Sequence, residues 1–201
     1  MAAELQLHEI TDSEIIQKVV DGDVNAFEGL LHKYQHHVLT IVKKHVPSDQ
    51  IEETTHEVFI RAYQSLPTFK HKSNFKHWLS SIAVRTCYDF WRARYRNREI
   101  SISSLTERQQ HWLESVISAQ SSRSFAADEE HQARKDVLDW ALSQLSAEDR
   151  MVVELVYLEE LSGKEAAKLL GWSVANVKVR SFRARKKLQK LLSQATRKGG
   201  E

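Results

Sequence analysis

Apolar positions in this 201-residue chain recur at three- and four-residue intervals almost throughout, and strongly alternating stretches are absent. That period belongs to helices packed along one face. Ile15, Ile16, Val19 and Val20 predict a first helix from about Asp12, capped by Asp12 or Ser13 and broken at Gly22-Asp23. Ala26, Phe27, Leu30, Leu31, Tyr34, Val38, Ile41 and Val42 predict a second, which stops near Pro47. A third covers 51–64, turning Val58, Phe59, Ala62 and Tyr63 inward and ending before Pro67. Residues 68–74 read as a loop. A fourth helix runs from Phe75 into Arg94 or beyond and carries Trp78, Leu79, Ile82, Ala83, Thr86, Phe90 and Trp91. Of its aromatics, Trp78 and Phe90 are expected to be buried.

The pattern then changes. Ser and Gln dominate 100–128, which reads as a linker. Within it Trp112, Leu113, Val116 and Ile117 form a patch too short for a core and too apolar for a pure spacer, a candidate docking element. Helical periodicity returns at 129–145 and 147–161, then in two helices within 163–192. The expected fold is all-α: two small helical domains, 10–98 and 129–195, joined by a linker at 99–128.

The last two helices have the spacing of a helix-turn-helix, anchored by Ala167, Gly171 and Val177. A small residue sits where the helices approach, a Gly four residues later suits φ > 0 in the turn, and an apolar residue six further on faces inward. Ser173 is the expected cap of the second helix. Val174, Val177, Ala184 and Leu188 are its expected inward stripe. Lys178, Arg180, Arg183, Arg185, Lys186, Lys187 and Lys190 follow with no acidic residue among them. Such charge repels itself along a helix and points to an external polyanion; a merely solvated face would mix Glu with Lys.

Overall charge hides this, since the net value is only +2. Acidic residues collect in 12–28, 52–57 and 128–130, and basic ones in 85–98 and 178–190. That segregation implies two kinds of partner surface. Between 75 and 98, Phe75, Trp78, Tyr88, Phe90, Trp91 and Tyr95 interleave with Arg85, Arg92, Arg94, Arg96 and Arg98. Guanidinium groups can follow phosphates while aromatic faces stack unpaired bases at roughly 1–3 kcal/mol each. The single cysteine, Cys87, excludes an internal disulfide and a multi-Cys zinc site. No apolar run nears the roughly 18 residues that span a bilayer, and no signal pattern opens the chain. A soluble, cytoplasmic protein is expected.

Three passages together resemble the extracytoplasmic-function (ECF) sigma factors, the compact group of the sigma-70 family that keeps regions 2 and 4. They are DGDVNAFEGLLHKYQHHVLTIVKKHV, IEETTHEVFIRAYQSLPTFKHKSNFKHWLSSIAV and LSAEDRMVVELVYLEELSGKEAAKLLGWSVANVKVRSFRARKKL. The resemblance implies a promoter-specific initiation subunit. It assigns Glu52, Glu53, His56, Glu57 and Arg61 to the β′ clamp helices of core RNA polymerase, with the β flap as a further contact. Glu53, His56 and Glu57 stand where the family has Asp-x-x-Gln-Glu. It assigns Lys70, Lys72, Ser73, Asn74, Phe75, Trp78, Arg85 and Arg92 to the −10 promoter element, with a base flipped out of the stack and held by the loop at 70–74. Arg85 replaces a common Asn. For the −35 element it implies Ser173, Asn176, Lys178, Arg180, Ser181, Arg183, Arg185 and Lys187. Arg and Asn can pair bidentately with guanine and adenine, while Arg185, Lys186 and Lys187 suit phosphates. Ser181 stands where the family has an apolar inner-face residue, and Ala175-Asn176 replaces Gly-Thr. The family also implies an anti-sigma factor as partner.

Two other classes fit less of the chain. A helix-turn-helix response regulator with a helical sensor domain would leave the aromatic-Arg stretch unexplained. A carboxylate-bridged metal oxidase would use Glu28, His32 and His36 with Glu53 and His56, but the second Glu-x-x-His it needs is missing. With no nucleophile constellation and no phosphate-cradling Gly loop, no catalysis, cofactor or metal is expected.

Overall fold

The computed structural model describes residues 11–69, 74–96 and 127–198. These residues form α1 (Asp12–Val20), α2 (Phe27–His45), α3 (Ile51–Ser65), α4 (Phe75–Arg96), α5 (Ala127–Ser143), α6 (Ala147–Val153), α7 (Gly163–Leu170) and α8 (Val174–Lys198), with no strand among them. The expected linker, its Trp112–Ile117 patch, Lys70, Lys72, Ser73 and Arg98 lie outside the described residues. The chain divides into two compact units, residues 1–90 with Leu169–Gly171, and residues 91–168 with 172–201.

In the first unit α1 starts on a capping box at Thr11, one residue before the expected cap. The Glu14 N–H donates to Thr11 Oγ1 (3.3 Å) and the Thr11 N–H donates to Glu14 Oε2 (2.7 Å). Asp12 is thereby left to join α1 to α2, accepting from Lys33 Nζ at 2.7 Å and from the Tyr34 hydroxyl. Burial and then this carboxylate push the Tyr34 pKa well above its ordinary value. The core is Leu30, Val38 and Val42 of α2, Val58, Phe59 and Ala62 of α3, and Leu79, Ala83, Val84 and Cys87 of α4. Four expectations change. Val20 and Tyr63 are exposed, and Trp78 and Phe90 are only half-buried, while Phe75 is sealed. Phe75 wins that place because its ring meets Tyr34 at 5.2 Å, Phe69 at 5.7 Å and Trp78 at 5.4 Å.

In the second unit Leu142, Leu145, Val153 and Ala184 pack together, with Leu188 against them. The expected 147–161 helix is α-helical only as far as Val153. A π turn follows over Glu154–Leu158, closed by the Glu159 N–H to the Glu154 carbonyl at 2.9 Å. Glu160 then takes φ 56°, and the chain reverses into α7. Ser162 and Glu165 form a second capping box there, at 3.3 and 2.9 Å. Donation from Ser162, by its hydroxyl and then its N–H, holds the Glu165 carboxyl below its ordinary pKa.

Candidate nucleic-acid interface

The turn between α7 and α8 has the anticipated geometry. Ala167 is buried, and its carbonyl accepts the Trp172 N–H at 2.9 Å. Gly171 sits at φ 72°, where a side chain would be strained. Ser173 caps α8, its Oγ accepting the Asn176 N–H at 3.1 Å. Val177 and Ala184 are sealed, and Leu188 and Ser181 are half-buried beside them, so the inward stripe is 177, 181, 184 and 188. Val174, expected in that stripe, is exposed instead, because it lies in the first turn, before the helix has packed.

Opposite that stripe the helix offers cations and two apolar side chains. Lys178, Arg183, Arg185, Lys186, Lys187 and Lys190 are all exposed. Val179 and Phe182 are 47% and 59% exposed. At 100° per residue, Val179, Phe182, Arg183 and Lys186 point away from Val177, and Lys178 with Arg185 form one flank. An apolar side chain held outward among cations can touch the thymine methyl in a major groove. The sequence reading omitted Val179 and Phe182; the signal was two apolar residues out of step with the inward period.

Arg180 differs from its cationic neighbours. It is half-buried, and its Nη1 donates to Asp149 Oδ1 at 3.2 Å and lies 3.9 Å from Glu148 Oε2. Its Nε donates to Asn176 Oδ1 at 3.1 Å. Its guanidinium stands 5.3 Å from the centre of the Trp172 ring.

Along α4, Arg85 and Arg92 are exposed and Trp78 is half-buried. Asn74 is the cap of α4, its Oδ1 accepting the Lys76 N–H at 2.8 Å. Phe75 faces the core rather than solvent. The two residues flanking 70–73 on the aromatic side, Phe69 and Phe75, are therefore both anchored inside. On α3, Glu52, Glu53 and His56 are exposed, whereas Glu57 and Arg61 bond to each other at 2.6 Å. Arg61 also donates to Asp89 Oδ2 at 2.7 Å, tying α3 to α4. Burial works against the Arg61 charge, and these two carboxylates outweigh it. Beside His56 runs an apolar groove lined by Val24, Phe27, Leu31, Phe59, Ile60 and Tyr63. Ile60 and Val24 are exposed along it, a second feature omitted by the sequence reading.

Two family models match the chain, sigma-70 region 2 over residues 30–97 and sigma-70 region 4 over residues 135–188. The chain is 30% identical over 178 residues to the ECF RNA polymerase sigma-E factor of Escherichia coli strain K12, covering 88% of this chain and 92% of that protein. It is 29% identical over 191 residues to the RNA polymerase sigma-H factor of Pseudomonas aeruginosa, covering 92% and 96%. In fold it resembles CnrH, solved in complex with the cytosolic domain of CnrY, at 22% identity and a TM-score of 0.50, covering 90% and 96% of the two chains. With both sigma regions matched in order and a relative aligned over nearly its whole length, the chain belongs to the ECF sigma factors of the sigma-70 family.

Proposed function

We propose that residues 10–98 bind core RNA polymerase and engage the −10 element, that residues 129–195 read the −35 element, and that 99–128 links them. The protein is a sigma factor that directs promoter-specific transcription initiation. It supplies no catalysis of its own, since bond formation belongs to the polymerase, and it works in the cytoplasm where that enzyme is. The observation that carries the −35 assignment is the outward face of α8, where exposed cations surround Val179 and Phe182 with no acidic side chain. Lys178 and Arg183 are assigned to base edges, and Arg185, Lys186 and Lys187 to phosphates.

The polymerase contact is assigned to α3, where Glu53, His56 and Ile60 share one face beside the apolar groove. Charge at its edge and apolar surface at its centre is the usual anatomy of a protein interface. Glu57 and Arg61, on the flank next to that face, tie α3 to α4 through Asp89. An anti-sigma factor is a further partner, consistent with the family.

The deciding experiment maps RNA 5′ ends after induced expression. Start sites preceded by one shared pair of −35 and −10 sequences are expected, and they should reappear in transcription by core polymerase reconstituted with this chain alone. New start sites with no shared upstream element would overturn the reading.

A further inference from the structure

Among the described cations of α8, Arg180 alone is paired with carboxylates of another helix. Asp149 is only 18% exposed and Arg180 30%, so water screens this pair less than a surface one. The contacts come from three directions: the first turn of α6 through Glu148 and Asp149, the turn residue Trp172, and the first turn of α8 through Asn176. Asp149 is itself held, its N–H donating to the α6 cap Ser146 at 3.2 Å. A guanidinium only donates, so the Asn176 carboxamide turns its oxygen to Arg180 and its NH2 group the other way.

We propose that Arg180 is a positioning residue, which fixes the start of the reading helix against α6 and orients Asn176, and does not itself read a base or hold a phosphate. This rests on the assignment of α8 to the −35 element. It divides the cations of α8 into those that meet DNA and one that sets where the others point. A pair of carboxylates beside the helix would also repel a nearby phosphate unless Arg180 stayed with them, so moving Arg180 onto DNA would expose two like charges to it.

The test uses holoenzyme made with the full chain, on duplexes carrying the preferred −35 sequence and single-base variants. Arg180→Ala should weaken binding roughly tenfold on all of them alike, with the salt slope unchanged. Asp149→Asn should act in the same direction, and the double variant should be no worse than Arg180→Ala alone. Arg180→Lys, which keeps an ion pair but loses the planar fork, should recover part of the loss. Loss at one base position only would make Arg180 a reader, and a salt slope lower by about one would make it a phosphate contact. Tighter or unchanged binding by Asp149→Asn would equally overturn the proposal, since it would mean the carboxylates merely compete with DNA. Hydrogen exchange on the free chain separates this from failure of the −35 assignment. The amides that close the first turns, Arg150 on α6 and Val177 on α8, should lose protection in both Arg180→Ala and Asp149→Asn, whatever the DNA result, and unchanged protection would show that no clamp exists. A residue that served stability alone would lower protection but leave the affinity of the folded chain unmoved.

Discussion

At the scale of the residue, exposure sorts side chains that charge alone cannot distinguish. Seven cations follow Ser173 in the first stretch of α8, and nothing in the sequence sets Arg180 apart from Lys178 and Arg183. Structure separates Arg180, which is held by Asp149 from 31 positions earlier, a proximity no local pattern encodes. The same holds for Arg61, whose partner Asp89 is 28 positions away. The Thr11 and Ser162 caps follow local signals, Thr-x-x-Glu and Ser-x-x-Glu, yet the first was expected at Asp12 or Ser13 and the second was not anticipated. A prediction belongs at this scale. Arg183→Ala should cost roughly 1–3 kcal/mol on the preferred −35 sequence and much less on an altered one, as loss of a base-edge contact does. Lys187→Ala should weaken every sequence equally and lower the salt slope by about one unit. Binding isotherms of holoenzyme at several salt concentrations check both. If Arg183→Ala weakened all sequences alike, Arg183 would move to the phosphate group.

At the scale of the element, periodicity was a good guide to where helices run and a poorer one to how they end. The 147–161 apolar period continues through a segment that is not α-helical, because a π turn preserves the inward face while adding one residue. Where α6 passes into that turn, Arg150 and Glu154 pair at 2.7 Å, their side chains 9% and 4% exposed. Removing one partner strands a buried charge, so Glu154→Ala should destabilise the second unit by roughly 3–5 kcal/mol in urea unfolding. A loss below about 1 kcal/mol would show the pair to be solvated. Helix contacts also predict a pH effect in the first unit. His37 on α2 bonds Ser80 on α4 at 2.8 Å, and burial, with Lys76 and His77 nearby, lowers its pKa. Below about pH 6.5 the unfolded chain then takes up the proton first. This contribution to stability is present above that pH and is lost as pH falls through the lowered folded value. His37→Gln should flatten the stability profile between about pH 5 and 7. Identical slopes in both proteins would remove His37 from the account.

At the scale of the whole molecule, the order of helices and the helix-turn-helix were readable because each depends on local period and composition, while the family was read as a resemblance carried by three passages. The aromatic assignments were not. Hydrophobicity predicts that Phe75, Trp78 and their neighbours cluster, but only packing decides which ring is sealed, and Phe75 took the place expected for Trp78. That exchange bears on how the −10 assignment should be tested. Replacing Phe75 would open a cavity among Tyr34, Phe69 and Trp78, costing about 3–5 kcal/mol and confusing a melting defect with an unfolded protein. Replacing Asn74 would remove the cap of α4. A cleaner variant deletes two residues within 70–73 and keeps Phe69, Asn74 and Phe75, so the aromatic anchor and the cap both survive. If this loop holds a base taken out of the stack, the variant should form closed complexes nearly normally but lose permanganate reactivity at promoter thymines, because extrusion of that base nucleates strand separation. Circular dichroism should be unchanged. Equal thymine reactivity in the deletion and the parent, at equal closed-complex occupancy, would take melting away from this loop and leave the exposed arginines of α4, Arg85 and Arg92, as the groups to test next.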